Sequence, residues 1–219
     1  MTELYSDRIQ KTASGAKPRQ LVILLHGLGS DANDLISLAP YFAERMPEAE
    51  FISPNAPFPC DMAPFGYQWF SVQDRSLENS LEGIKIAAPI LNDFIDKELR
   101  KRSMTDKDLI LIGFSQGAMM ALYTALRRTD PCAAVLAYSG MLFGHEDLNK
   151  PNITKPPIFL AHGDSDDVVD VSNTESAYEH LKNADFKDIK KIICPRVGHS
   201  IDEASLTGGI KFILERTDK

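Results

Sequence analysis

The sequence predicts an α/β fold, a mostly parallel central sheet with helices on both faces and no large cap domain. Short apolar runs alternate along the chain with longer stretches of helical periodicity. Most of the short runs are apolar at consecutive positions, as expected of parallel strands covered on both faces.

The strand candidates are QLVILL (20–25), EFISP (50–54), DLILIG (108–113), AAVLAYS (133–139), PIFLAH (157–162) and KKIICP (190–195). Helical patterns fill most of the gaps. Residues 31–46 have helical spacing, with Pro40 either kinking the helix or starting a second piece. Residues 81–102 form a long helix with a stripe of Leu81, Ile84, Ile86, Ala88, Leu91, Phe94, Ile95 and Leu99. Its end is basic, which suits the dipole at a helix C-terminus. Helices are also predicted over 116–128, 174–184 and 201–216. There is no internal repeat, linker or composition break, so residues 1–219 are read as one domain.

One segment departs from the alternation. PNAPFPCDMAPFGYQWFS (54–71) holds four prolines, which keep it out of regular structure. Its aromatic residues make it too apolar for a solvated loop, so it is expected to fold back as an ordered flap.

Composition narrows the function. A chain of 219 residues with 43% apolar and 25% charged residues has the make-up of a soluble globular protein. A net charge of -7 with no basic block disfavours nucleic acid and anionic membrane surfaces as partners. No apolar run approaches the roughly 18 residues of a membrane span. The polar N-terminus carries no secretory pattern. The three cysteines Cys60, Cys132 and Cys194 show neither CxxC nor metal-ligand spacing and read as reduced thiols. A cytoplasmic location is the resulting expectation.

The strand LILIG ends in Gly113-Phe114-Ser115-Gln116-Gly117 and resumes as a small-residue helix. This strand–turn–helix context is that of a nucleophile elbow. Glycines flank the serine because a side chain at either would collide with the turn or the neighbouring strand. A serine hydroxyl needs a base. His26 and His162 lie at strand ends, His145 in a polar stretch, and His180 within an amphipathic helix. His199, in RVGHSID, lies in the loop between the last strand and the last helix, with Gly198 beside it. That is the sheet edge where open α/β folds place their sites, so His199 is the candidate base.

The base needs an acid to orient it. AHGDSDDVVD offers Asp164, Asp166, Asp167 and Asp170. Asp166 is preferred, with Asp167 second; the others are expected to be solvated or to cap the following helix. The order Ser115, Asp166, His199 is that of α/β-hydrolases. An oxyanion would be held by two N–H groups, that of Gln116 after the serine and that of Leu28 in LLHGLGSD.

Together LVILLHGLGSDANDL, FISPNAP, GFSQGAMMAL, AHGDSDDVV and VGHSI resemble the phospholipase/carboxylesterase family of α/β-hydrolases, which includes bacterial carboxylesterases and acyl-protein thioesterases. The resemblance runs from about residue 20 to the end. It implies a compact α/β-hydrolase without a large cap and without a cofactor. The family's aspartate, followed by two residues and a valine, falls on Asp166. Where the acyl-protein thioesterases carry a Ser-Trp-Tyr-Asp type of element, this flap reads GYQWFS, which looks like a bacterial subgroup. Ester hydrolysis is implied by the resemblance; protein depalmitoylation is not carried over.

The expected activity is hydrolysis of carboxylic esters, with lysophospholipids and acyl-thioesters as further substrates. Phe65 and Trp69 of the flap are expected to line the groove for an apolar acyl chain. The competing expectations are a non-catalytic binding module on the same scaffold, and a metallohydrolase, for which no HExxH pattern is present. No metal is expected. A flap this apolar also suits a homodimer contact.

Overall fold

The computed structural model describes residues 3–6 and 8–217. In chain order its elements are β1 (Arg8–Gln10), β2 (Gln20–Leu25), α1 (Ala32–Ile36), α2 (Ala39–Ala43), β3 (Ala49–Ser53), β4 (Phe58–Pro59), β5 (Tyr67–Gln68), α3 (Leu77–Arg102), β6 (Leu109–Phe114), α4 (Gln116–Ala125), β7 (Ala134–Tyr138), β8 (Ile158–Gly163), α5 (Ser172–Asn183), β9 (Ile189–Cys194) and α6 (Glu203–Thr217).

The main sheet has the order β1-β3-β2-β6-β7-β8-β9. Strands β3 to β9 in that order are parallel, and β1 adds an antiparallel edge to β3. Alternate strand residues face opposite sides, as the two-residue period of a strand requires. Leu21, Ile23, Leu25, Leu109 and Leu111 pack with α3 and α4, whereas Val22, Leu24, Ile110 and Ile112 pack with Phe42 of α2 and Phe212 of α6. Burial on both faces is why the strand sequences do not alternate with polar residues.

From β2 the chain builds β3 on one side, then returns through α3 to β6 on the other. The order therefore reverses between β2 and β6, and the loops leaving their C-terminal ends flank a crevice. Residues 26–30 and the Ser115 turn occupy those loops.

Over 31–46 the second of the two expectations holds: Pro40 lies in the first turn of a separate helix, α2, where its missing N–H costs no hydrogen bond. Other elements depart from expectation. The long helix starts earlier, at Leu77, capped by the Ser76 hydroxyl, which accepts from Asn79 N. It continues through Pro89 on an exposed face, where the Lys85 carbonyl can turn to water. Ile86 does not belong to the buried stripe and is 62% exposed. Two residues from Ile84, it lies about 200° around the helix and cannot share a face with it. The edge strand β1 arises from a polar stretch with no strand signature. Within the flap, β4 and β5 pair as a short antiparallel ladder, so the prolines do not exclude all regular structure. Among the described residues no helix is long and apolar enough to cross a membrane.

Candidate active site

Ser115 stands at the turn from β6 into α4 with φ 54° and ψ -119°, a conformation few non-glycine residues adopt. The turn is held by Ser115 N donating to Tyr138 O and by Ala118 N and Met119 N donating to Ser115 O. A Cβ on Gly117 would lie 1.9 Å from Leu25 O, and one on Gly113 would lie 2.2 Å from Gly117 O. Both glycines are therefore steric requirements of the elbow, as expected.

His199 Nε2 lies 3.0 Å from Ser115 Oγ, and His199 Nδ1 lies 2.7 Å from Asp166 Oδ2. Three residues from three loops thus form one hydrogen-bonded chain. The Asp166 side chain is completely enclosed. Its Oδ1 accepts from Val168 N and Val169 N, both at 2.9 Å. Burial by itself would raise its pKa. The hydrogen bond from His199 and the two amides outweigh it and hold the carboxyl below the ordinary carboxylate range. The other aspartates of the loop are occupied differently or face solvent. Asp164 Oδ1 accepts from Arg196 N, Asp170 Oδ1 accepts from Ser172 N at the start of α5, and Asp167 is exposed.

The loop carrying His199 is seated by Gly163 rather than by Gly198. A Cβ on Gly163 would lie 2.1 Å from Val197 O, while one on Gly198 would have Ser165 O at 3.9 Å as its near neighbour. Phe114, the residue before the serine, packs its ring on His199 with centroids 4.7 Å apart.

The amides of Leu28 and Gln116 donate to no other protein group among the described residues. The Leu28 loop runs against the elbow, since a Cβ on Gly27 would lie 3.3 Å from Ser115 Cβ. Two free donors are thus available on the two loops that flank the crevice.

The side chain of Gln116 has a role that sequence reasoning missed. Its Oε1 accepts from Trp69 N at 3.0 Å and its Nε2 donates to Phe70 O at 2.8 Å. Trp69 Nε1 donates to His26 O, and the ring is fully buried. Trp69, expected along the groove, is instead enclosed and pins the flap to the β2 loop. Phe65, at the flap tip, is 74% exposed. His26 is a buried structural histidine, with Nδ1 donating to Gly27 O and Nε2 accepting from Ala56 N. No local pattern announces these partners, which lie up to 47 residues apart.

Cys60, Cys132 and Cys194 are unpaired and buried. Burial pushes the Cys194 thiol up to about 11, so it offers no thiolate beside the His199 loop. Among the described residues no cluster of three or more His, Cys, Asp or Glu side chains is arranged to hold a metal ion.

The phospholipase/carboxylesterase family model matches residues 8–216. The chain belongs to that family. Its fold is accordingly the α/β-hydrolase fold without a large cap. Relatives within the family include esterase YpfH of Escherichia coli, 29% identical over 86% of this chain and 79% of that protein. Acyl-protein thioesterase 1 of Kluyveromyces lactis is 31% identical over 82% of this chain and 87% of its own. The crystal structure of esterase PE8 superposes with a TM-score of 0.92 at 38% identity, covering 98% of this chain and 99% of that one. Membership makes the chain a hydrolase of the esterase and thioesterase type.

Proposed function

We propose that this chain cleaves carboxylic esters through an acyl-enzyme on Ser115. The observation that carries the reading is the hydrogen-bonded chain Ser115 Oγ, His199, Asp166, with contacts of 3.0 and 2.7 Å. Ser115 Oγ attacks the substrate carbonyl while His199 Nε2 takes its proton. Asp166 fixes the hydrogen of His199 on Nδ1 and stabilises the imidazolium. The amides of Leu28 and Gln116 hold the developing oxyanion. His199 then returns the proton to the leaving alkoxide, and water releases the acyl group by the reverse sequence of transfers.

An apolar acyl chain of short to medium length is the favoured substrate. A separate hollow of about 380 Å³ beside the segment after β7 has a mixed wall, Leu81, Met141 and Phe143 together with Glu78, His145 and His180. Phe65 at the flap tip offers a further apolar surface, to the substrate or to a second copy of the chain. Lysophospholipids and acyl-thioesters fit the same chemistry, because both react through a tetrahedral intermediate.

The test is intact mass and peptide mapping after exposure to a fluorophosphonate probe. A single adduct on Ser115, absent in His199→Ala, is the expected result. A folded protein that takes no adduct would overturn the reading and leave a ligand-binding module on this scaffold.

A further inference from the structure

His162 is the next-to-last residue of strand β8, and its side chain has no exposed surface, so both ring nitrogens need protein partners. Nε2 lies 2.8 Å from the carbonyl oxygen of Val169 and 3.1 Å from Asp166 Oδ2. A carbonyl and a carboxylate only accept, so the hydrogen is on Nε2. Nδ1 lies 2.7 Å from Thr174 Oγ1, whose hydroxyl can donate to it. Asp166 Oδ2 therefore accepts one imidazole hydrogen bond, from His199 Nδ1 at 2.7 Å, while His162 Nε2, whose hydrogen is directed to Val169 O, lies 3.1 Å from the same oxygen.

We propose that His162, held in its Nε2–H tautomer by Thr174, is a positioning residue that draws charge from Asp166 Oδ2 and so weakens the aspartate's hold on a proton at His199. This rests on the reading of Ser115, His199 and Asp166 as the catalytic groups. Orientation alone does not call for a second imidazole, since Oδ1 is already fixed by the amides of Val168 and Val169. The positive end of an N–H dipole held beside a carboxylate oxygen favours its charged form and lessens its attraction for a neighbouring proton.

Other titratable groups near the cluster are Asp164, Asp167 and Asp170 on the same loop, Arg196 and Cys194 on the His199 side, and Glu175 on α5 beside Lys191. The variants below change none of them.

Two measurements on the full chain decide the matter. Long-range ¹H–¹⁵N spectra of the imidazoles report the tautomer of His162 in the unmodified protein. The Nε2–H form is expected, and the Nδ1–H form overturns the proposal. The pH profile of kcat/KM with p-nitrophenyl acetate then tests the role. In His162→Leu the acidic limb is expected to rise by about half to one pH unit. In His162→Gln, which keeps an N–H donor, it is expected to return toward its original position. A purely structural role would lower the plateau and leave the limb in place; an unmoved limb, or one moved to lower pH, overturns the proposal. Should His162→Leu fail to fold, the near-isosteric Thr174→Val releases the tautomer, and a limb that stays in place while the spectra show the Nδ1–H form has the same meaning. Lack of fluorophosphonate labelling at Ser115 in the unmodified protein would instead sink the triad reading itself.

Discussion

Gln116 and Trp69 are joined by a 3.0 Å hydrogen bond from the Trp69 amide to Gln116 Oε1, so the residue beside the nucleophile also holds the flap. Its backbone N–H remains free for another acceptor. One residue thus ties the flap to the elbow.

That coupling is directly measurable because Trp69 is the single tryptophan of the chain. Gln116→Ala keeps the backbone N–H but removes both bonds to the flap. The tryptophan emission is expected to shift to the red as its ring gains water, with kcat/KM falling about 10-fold. Unshifted emission would mean that the bond to His26 O and the packing around the ring hold the flap without Gln116.

The aspartates of the loop are separable by substitution. Asp166→Asn preserves the shape but leaves His199 facing an amide, and a loss of about 10⁴-fold in kcat is expected. Asp167→Asn is expected to leave kcat unchanged, since that side chain faces solvent. Steady-state kinetics on the two variants checks the assignment, and the opposite ranking would transfer the role to Asp167.

Two glycines beside functional residues should respond in opposite ways. In Gly117→Ala the new methyl would meet Leu25 O at 1.9 Å, and a loss of more than about 4 kcal/mol is expected. Gly198→Ala meets only an ordinary contact and is expected to stay within about 0.5 kcal/mol of the original. Chemical denaturation of the pair measures both.

Acid sensitivity should begin with His26. Its burial, the largest influence, holds it below the ordinary value of 6.5, against the opposing hydrogen bond to Gly27 O and the charges of Asp31 and Asp34. The unfolded chain therefore takes up this proton first as pH falls. The stabilisation is complete above 6.5 and is lost as pH falls from there through the folded value. Thermal melts should show Tm falling over that window, with a shallower slope in His26→Gln; equal slopes would assign the effect elsewhere.

Much of the molecule is legible in the sequence because it rests on local chemistry. Consecutive apolar residues in the short runs LVILL and LILIG, bounded by turn residues, fit strands covered on both faces, and Gly113 and Gly117 announce a turn that excludes side chains. Those features, with the chain order of Ser115, Asp166 and His199, lead to the fold class and to the candidate residues. Phe65 and Trp69 look alike in the sequence, yet one is exposed at the flap tip and the other sealed beneath it. The same holds for His26, His162 and His199, three loop-edge histidines with different partners. Their roles depend on hydrogen bonds to groups remote in the chain, such as Gln116 to Phe70 and His162 to Thr174. The amino-acid sequence by itself determined the six parallel strands, the elbow and the chemical types available. Only the tertiary structure decided which of those groups are buried together, because a directional bond over about 3 Å exists only once the loops have been brought to one sheet edge.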